Sequence, residues 1–406
     1  MIADVAFDIP LDRAFSYVVP AGMVVAPGQR VSAPLQRRSR IGVVVALREG
    51  DSAGLTALAR VVDPVAVLSE SALELGRWAA AESLSSLGST VLSLLPPPPR
   101  AGAAERVSPP AALATTAPGP LEVRPELWID DAREYRLADC LEREPGAALV
   151  VAPDRQSAMR WARRLDAPRL DSGVPEMERR RAWFAAASGR HRVVVGTRSA
   201  LLAPLPPPAT MALIDEHDPA HKPPGAPRLH SRDLLLRRAE LEGSRLLLLS
   251  ATPSAESWWR ARQGRILRME ATAAAPWPEV ITADTRGILR NHPLTLPLTR
   301  AIEDASKQGL RAALIVSRRT ASLACDECGA IRRCLDCGVA QALTRDRSLR
   351  CPLCARAEPP SDRCPACGGH RLSPFGWDAD RVQARVARRF PRLTIARQGL
   401  EAHVLI

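Results

Sequence analysis

Eight of the nine cysteines fall between Cys325 and Cys367, as four C-x-x-C pairs: Cys325/Cys328, Cys334/Cys337, Cys351/Cys354 and Cys364/Cys367. Two thiolates on one tight turn reach a single cation, and two such turns complete a tetrahedral sulfur shell, which suits Zn²⁺. Four pairs therefore make two four-cysteine sites, or two zinc ions per chain. Gly329, Gly338 and Gly368 each follow the second cysteine of a pair, where such a knuckle needs a left-handed backbone. A disulfide framework would need an oxidising compartment, and the opening residues, MIADVAFDIPLDRAF, lack a basic-then-apolar export pattern. Cys140, alone in an apolar helical context, reads as a small buried residue.

The lysines carry the second chemical signal. There are two, Lys222 followed by Pro223, and Lys307 between Ser306 and Gln308. A Walker A loop needs Gly-Lys-Ser/Thr, the lysine reaching the terminal phosphates, and neither lysine sits in a glycine loop. Arginine supplies nearly all of a net charge of +12. That charge points to a polyanionic partner, most simply nucleic acid, although an arginine-rich composition alone would also produce it. No apolar run approaches a membrane span, and the expected location is cytoplasmic, at the nucleoid.

These residues must be positioned by several domains, for which 406 residues and 46% hydrophobic content suffice. Residues 1–95 read as a small N-terminal β domain with a helical tail. Phe15–Val19, Arg30–Ala33 and Ile41–Leu47 alternate as strands, Pro27-Gly28 marks a turn, and Arg37-Arg38-Ser39-Arg40 sets positive charge on an expected loop. Leu73, Leu75, Trp78 and Ala79 share a helical stripe. Residues 96–125 are a Pro/Ala-rich linker. In residues 126–287, apolar runs at Ala147–Ala152, Arg192–Gly196, Met211–Ile214 and Arg245–Leu249 alternate with helices at Glu176–Ala187, Ser231–Glu242 and Ser254–Arg262. Ser231 is the expected N-cap of the second helix, and Gly243 lies just past its end. This order predicts a parallel α/β domain with any ligand at the carboxyl ends of its strands. Residues 288–324 begin a second α/β unit with a helix at Leu298–Gln308 and a strand at Ala312–Val316. The cysteine module occupies 325–372, and residues 373–406 add a helix at Asp380–Phe390 and a strand at Leu393–Ala396. Two helices and two strands cannot cover both faces of a parallel sheet, so this second lobe is expected to be partial.

Several ordered segments together resemble the PriA family of primosomal replication-restart proteins, superfamily 2 DNA helicases. Phe15-Ser16-Tyr17 and the stretches Pro27–Val31 and Arg40–Val44 resemble its N-terminal domain, which captures the 3′ end of a nascent strand. Gly196–Ala200 resembles a motif near the DNA track, and Pro227–Asp233 resembles P-R-Y-H-x-R-D. Ser250–Ser254 with Glu256-Ser257 resembles the S-A-T-P-S-x-E-S motif that couples hydrolysis to movement. The resemblance implies RecA-like helicase lobes and nested zincs: Cys325, Cys328, Cys364 and Cys367 on one ion, Cys334, Cys337, Cys351 and Cys354 on the other. It also implies that the zinc module serves primosome assembly and fork engagement.

The departures from the family pattern are as informative. The Walker A position reads Pro125–Asp131, with neither glycine nor lysine, and its acidic side chains would repel a triphosphate. The Asp-Glu-x-His box aligns with Ile214-Asp215-Glu216-His217, which puts Ile at the Mg²⁺-holding Asp; a slip of one residue recovers Asp215-Glu216 but displaces His217. The positioning and charge stabilisation that phosphoryl transfer depends on are then missing. Ser16 stands where the family often has a base-reading Asp, and the linker stands where it has a winged helix. The motifs expected late in the second lobe, including the arginine finger, are absent from these 406 residues.

The expected function is replication restart: recognition of stalled or forked DNA with a nascent 3′ end, and a scaffold for primosome assembly without helicase activity. By resemblance, Phe15, Ser16, Tyr17, Arg30, Arg37, Arg38 and Arg40 contact DNA, the two aromatics being equally readable as strand core. Asp215, Glu216 and His217 form a degenerate nucleotide site with no catalytic residue, and ATP/Mg²⁺ is not expected as a cofactor. Single-stranded DNA-binding protein and helicase-loading proteins are the implied partners. Two alternatives stay open: an ATP-dependent 3′→5′ DNA helicase with an unusual nucleotide site, and a zinc-ribbon nucleic-acid-binding protein or truncated non-functional copy.

Overall fold

The computed structural model describes residues 1–36, 38–99, 124–130, 132–225, 228–270, 279–283, 294–316, 322–344, 346, 348–359, 362–375, 377–397 and 402–406. Arg37, Asp131, Pro227 and residues 100–123 of the expected linker lie outside the described residues. The chain divides into two compact units, Met1–Ala275 and Pro276–Ile406.

The first unit opens with an antiparallel sheet of β1 (Ile2–Phe7), β2 (Phe15–Val18), β3 (Arg30–Leu35), β4 (Arg38–Arg48) and β5 (Arg60–Val61), in the order β2-β1-β4-β3-β5. Sequence alternation points to β2, β3 and β4 but not to β1, because β1 carries buried apolar residues on both faces and Asp4 as its one polar side chain. Arg38-Ser39-Arg40, expected in a loop, belongs to β4: Leu35 pairs with Arg38 and Ala33 with Arg40. Gln36, in the left-handed region at φ +51°, turns the chain early enough for this pairing.

Period-two alternation divides the sheet's side chains between two cores. Val5, Phe7, Tyr17, Val31 and Val44 pack on one face. Ala6, Val43 and Val45 on the other join α1 (Glu70–Glu82) and α2 (Leu87–Leu94) in a core that runs on into the α/β part, through Leu149, Trp183, Leu235 and Leu246. Leu73, Leu75 and Ala79 are buried in it, as their spacing predicts, with Trp78 packed against it. At Gly88 the helix meets the sheet so closely that a Cβ would lie 1.9 Å from the Phe7 carbonyl oxygen, so only glycine fits.

The α/β part runs β6 (Glu126–Ile129), α3 (Arg133–Arg143), β7 (Ala148–Val151), α4 (Arg155–Arg164), α5 (Glu176–Ala187), β8 (Val193–Gly196), β9 (Thr210–Leu213), α6 (Ser231–Glu242), β10 (Arg245–Leu249), α7 (Ala255–Arg262) and β11 (Leu267–Glu270). Its six strands are all parallel, in the order β11-β6-β10-β9-β7-β8. Helix-covered cores on both faces explain why the strands read as continuous apolar runs. Most of Pro125–Asp131, compared above with a phosphate loop, is therefore an interior strand, β6, between β10 and β11. The N-cap of α6 is His230, not Ser231: His230 Nδ1 accepts the Arg232 N–H at 3.1 Å, while Ser231 Oγ donates to the His221 carbonyl at 3.1 Å. Gly243 ends the helix at φ +59°.

The second unit contains α8 (Leu296–Lys307), β12 (Ala312–Ala313), β13 (Ser322–Cys325), β14 (Ala342–Leu343), β15 (Leu349–Arg350), β16 (Ala357–Glu358), β17 (Leu372–Phe375), α9 (Ala379–Arg389), β18 (Ile395–Ala396) and β19 (Val404–Leu405). Parallel strands β12, β19 and β18 pack against Ile302, Val382, Val386 and Phe390 from the two helices. The cysteine module interrupts this sheet: β13 pairs with β17, and β14, β15 and β16 form an antiparallel sheet of their own. Among the described residues, no helix is long and apolar enough to cross a membrane.

Candidate functional site

The β13–β17 pairing brings the first and fourth cysteine pairs together. Cys325, Cys328, Cys364 and Cys367 form one group, and Cys334, Cys337, Cys351 and Cys354 another, with all sulfurs of a group within 4.8 Å of one another. Sulfur separations of 3.7 Å (Cys325–Cys367), 3.6 Å (Cys328–Cys364) and 3.7 Å (Cys334–Cys354) approach the roughly 3.8 Å edge of a tetrahedron with zinc–sulfur bonds of about 2.3 Å. All four knuckles share one wiring. In the first, the Cys325 N–H donates to Ala330 O and the Gly329 N–H to Cys325 O, both at 2.9 Å; Cys334, Cys351 and Cys364 repeat it. The Cys354 and Leu353 N–H groups, aimed at the Cys351 sulfur, bring that thiol down to about 7. The Ala366 and Cys367 N–H groups do the same at Cys364. The donor set and its spacing thus fit two divalent ions. The nested grouping agrees with the resemblance; the spacing of the pairs left it open.

The left-handed residue after the second cysteine is Gly329 at φ +76°, Gly338 at +66° and Gly368 at +74°, but in the third knuckle it is Ala355 at +62°. Sequence reading found the three glycines and not this alanine.

A second cluster lies at the carboxyl ends of β6, β9 and β10. Glu216 is fully buried there. Its carboxylate accepts the Ser254 N–H at 2.7 Å, the Ser254 and Ser257 hydroxyls at 2.9 and 2.8 Å, and Arg232 Nη1 at 3.2 Å. Burial by itself would raise its pKa, but these donors hold the carboxyl below the ordinary range. His217 Nδ1 lies 2.7 Å from Ser250 Oγ. Asp215, left-handed at φ +47°, accepts Arg133 Nη2 at 3.2 Å. Arg136 binds Asp130 and lies over the Trp128 ring at 4.6 Å. Asp215, Glu216 and His217 are thus brought together as expected, each bonded to a protein partner. Arg133 and Arg136 escaped sequence reading; their only signal is a spacing of three residues just after a strand. Beside Glu216 a cavity of about 620 Å³ is lined by His217, Lys222, Arg228, His230, Arg232 and Ser254, among others. Burial, then the charge of Arg232, push His230 down to about 4.

The expected DNA contacts of the N-terminal sheet do not share one environment. Alternation along β2 turns Phe15 and Tyr17 to one face and Ser16 to the other. Tyr17 is a core residue, 4% exposed, donating its hydroxyl to Pro34 O at 2.9 Å. Phe15 is half-buried, edge-on to Phe7 at 5.9 Å, with the Arg13 guanidinium 4.6 Å over its ring. Ser16 Oγ donates to Asp4 at 2.7 Å and accepts Arg48 Nη2 at 3.1 Å. Arg30 is not at the surface: it is 1% exposed, bonded to Asp63 and, through Nη1 at 2.6 Å, to Pro96 O. Its charge answers a buried carboxylate, which removes it from solvent-facing phosphate. Arg38 and Arg40 are exposed along β4.

Residues 4–96 match the family model of a 3′ DNA-binding domain of PriA. The replication restart protein PriA of Treponema pallidum is 26% identical over 98% of this chain and 67% of its own length. The PriA of Synechocystis is 32% identical over 55% of this chain and 29% of its own length, and the probable PriA of Mycobacterium tuberculosis 28% over 94% and 66%. The chain therefore spans about two thirds of the length of some of these relatives and under a third of another. The chain is thus similar to PriA replication-restart proteins along almost its whole length, and its residues 4–96 match their 3′ DNA-binding domain.

Proposed function

We propose that this protein takes part in replication restart, recognising forked DNA that carries a nascent 3′ end and scaffolding primosome assembly without unwinding DNA. The observation that carries the reading is the connection between β6 and α3. Only residues 130–132 separate the strand from the helix, and they include neither glycine nor lysine. A phosphate cradle needs a glycine-rich loop of backbone N–H groups followed by lysine. Here arginines face the carboxylates instead: Arg133 pairs with Asp215 and Arg136 with Asp130. A guanidinium cannot supply the open coordination positions that Mg²⁺ brings to phosphoryl transfer. Support for DNA recognition comes from the 3′ DNA-binding domain match over residues 4–96 and from exposed Arg38 and Arg40 on β4. Two groups of four cysteines suit a rigid protein-docking module held by two zinc ions.

The test is DNA-stimulated ATP hydrolysis on a fork with a nascent 3′ end, with binding to that fork recorded in the same sample. Binding that prefers a free 3′-hydroxyl end over a blocked one, without turnover, is expected. Turnover that co-purifies with the chain and is lost in a Ser250→Ala, Glu216→Gln variant would restore the helicase reading.

A further inference from the structure

The second unit carries an arginine stripe along α9, one member of which, Arg381, donates through Nη1 to Pro374 O of β17 at 3.3 Å. Trp377, Arg381, Arg385 and Arg388 follow one another at +4, +4 and +3 residues, which places them along one face of α9 and the turn before it. On the other side of the helix, Val382 and Val386 are buried in the core. That core also anchors part of Trp377, so the indole is held while the ring stays half-exposed. The Arg381 guanidinium lies 4.5 Å over the Trp377 ring. Together with Ala384 these residues line a shallow cavity of about 280 Å³ with no acidic residue in its wall. Of the carboxylates at the start of α9, Asp378 caps the helix through the Arg381 N–H at 2.8 Å, and Asp380 binds Arg397.

We propose that this stripe binds single-stranded nucleic acid, with a base stacked at the Trp377–Arg381 pair and backbone phosphates along Arg385 and Arg388. A fixed indole gives every base a stacking face, and guanidiniums bind phosphate oxygens in a two-pronged geometry that ammonium groups lack. From Arg381 to Arg388 the helix rises about 10 Å, enough to follow a strand past more than one backbone phosphate. An acidic peptide would satisfy the arginines but would leave the ring without a planar partner. The site is separate from the 3′ DNA-binding domain and needs no strand end.

A circular single-stranded oligo-dT isolates it, because a circle presents no 3′ end. Binding of the zinc-loaded full chain to this circle would be followed by fluorescence anisotropy between low and moderate salt. Arg385→Gln with Arg388→Gln should lower the slope of log affinity against log salt by about 1.4, at about 0.7 per phosphate contact. Trp377→Leu, which keeps the packing against the core, should weaken the circle on the order of ten-fold through lost stacking. Binding to a recessed 3′-end duplex should change little in either variant. A circle that does not bind the wild type, or that binds both variants with unchanged affinity and slope, overturns the proposal. So does stripe-dependent binding of a poly-Glu peptide that the circle cannot displace.

Discussion

Ala355 shows how a single side chain can sit at odds with a repeated motif. Four knuckles impose the same left-handed backbone, and glycine satisfies it at three of them. An L-residue with a Cβ costs about 1–2 kcal/mol there, while glycine offsets about 0.5–1 kcal/mol of its own advantage through its freer unfolded chain. Ala355→Gly should therefore stabilise the metal-loaded module by about 0.5–1 kcal/mol. Gly338→Ala, whose added Cβ would meet nothing within 4 Å, should destabilise it by a similar amount. Urea midpoints of the zinc-loaded chains measure both, and equal midpoints for Ala355→Gly and wild type would show that the turn carries no strain.

The β13–β17 ladder is four residues long and those of β14–β16 only two, too short to close a core in water unaided. What ties them is the crossing of cysteine pairs between non-adjacent segments, so binding of the ions and folding of the module are one equilibrium. Two ions per chain are expected by elemental analysis. Strong chelation should release both and expose backbone amides of residues 322–375 to hydrogen exchange. Protection in β7, β9 and β10 should persist, since these strands are buried in a core that contains no cysteine ligand. Amides of the module that stay protected after both ions have left would refute the coupling. The β6–α3 connection makes a related point: three residues between strand and helix fix α3 so that Arg133 and Arg136 fall beside Asp215 and Asp130.

Within Met1–Ala275 the antiparallel and parallel sheets share one apolar core, and a buried ion cluster is set into it. Asp63, with no exposed surface, accepts from Arg30 of β3 and from Arg180 of α5, while Trp183 Nε1 donates to Val67 O at 3.2 Å. A carboxylate between two arginines offsets part of their charge, and removing it leaves that charge less compensated in low dielectric. Asp63→Asn should cost about 3–5 kcal/mol and split the unfolding of this unit into two steps, the N-terminal sheet separating from the α/β part. Urea unfolding followed by tryptophan fluorescence and far-UV circular dichroism would detect the split. Coincident transitions at an unchanged midpoint would mean that the apolar core alone joins the two sheets.

Much of this protein is legible in its residue order because the signals are local. Spacing of C-x-x-C pairs depends only on what one turn can reach, helical and apolar runs follow from periodicity, and the absence of a Gly-Lys loop is a matter of composition. The helices at Glu176–Ala187 and Ser231–Glu242 follow the sequence-based bounds residue for residue. Contacts between distant segments were not legible, since nothing local encodes them. Strand β1 hid because buried apolar residues stand on both its faces, and β6 because comparison with a loop pattern masked the apolar run Leu127, Trp128, Ile129. Arg30 looked like any surface arginine until the fold set Asp63, thirty-three residues away, against it. Glu216 gained its four donors only when the turn after β10, the start of α7 and the first turn of α6 met the loop after β9. Residue order alone settles the periodic helices, the strands that read as apolar runs and which atoms can hold metal. Which charges face each other is settled only by tertiary packing, because burial and pairing depend on segments far apart in the chain.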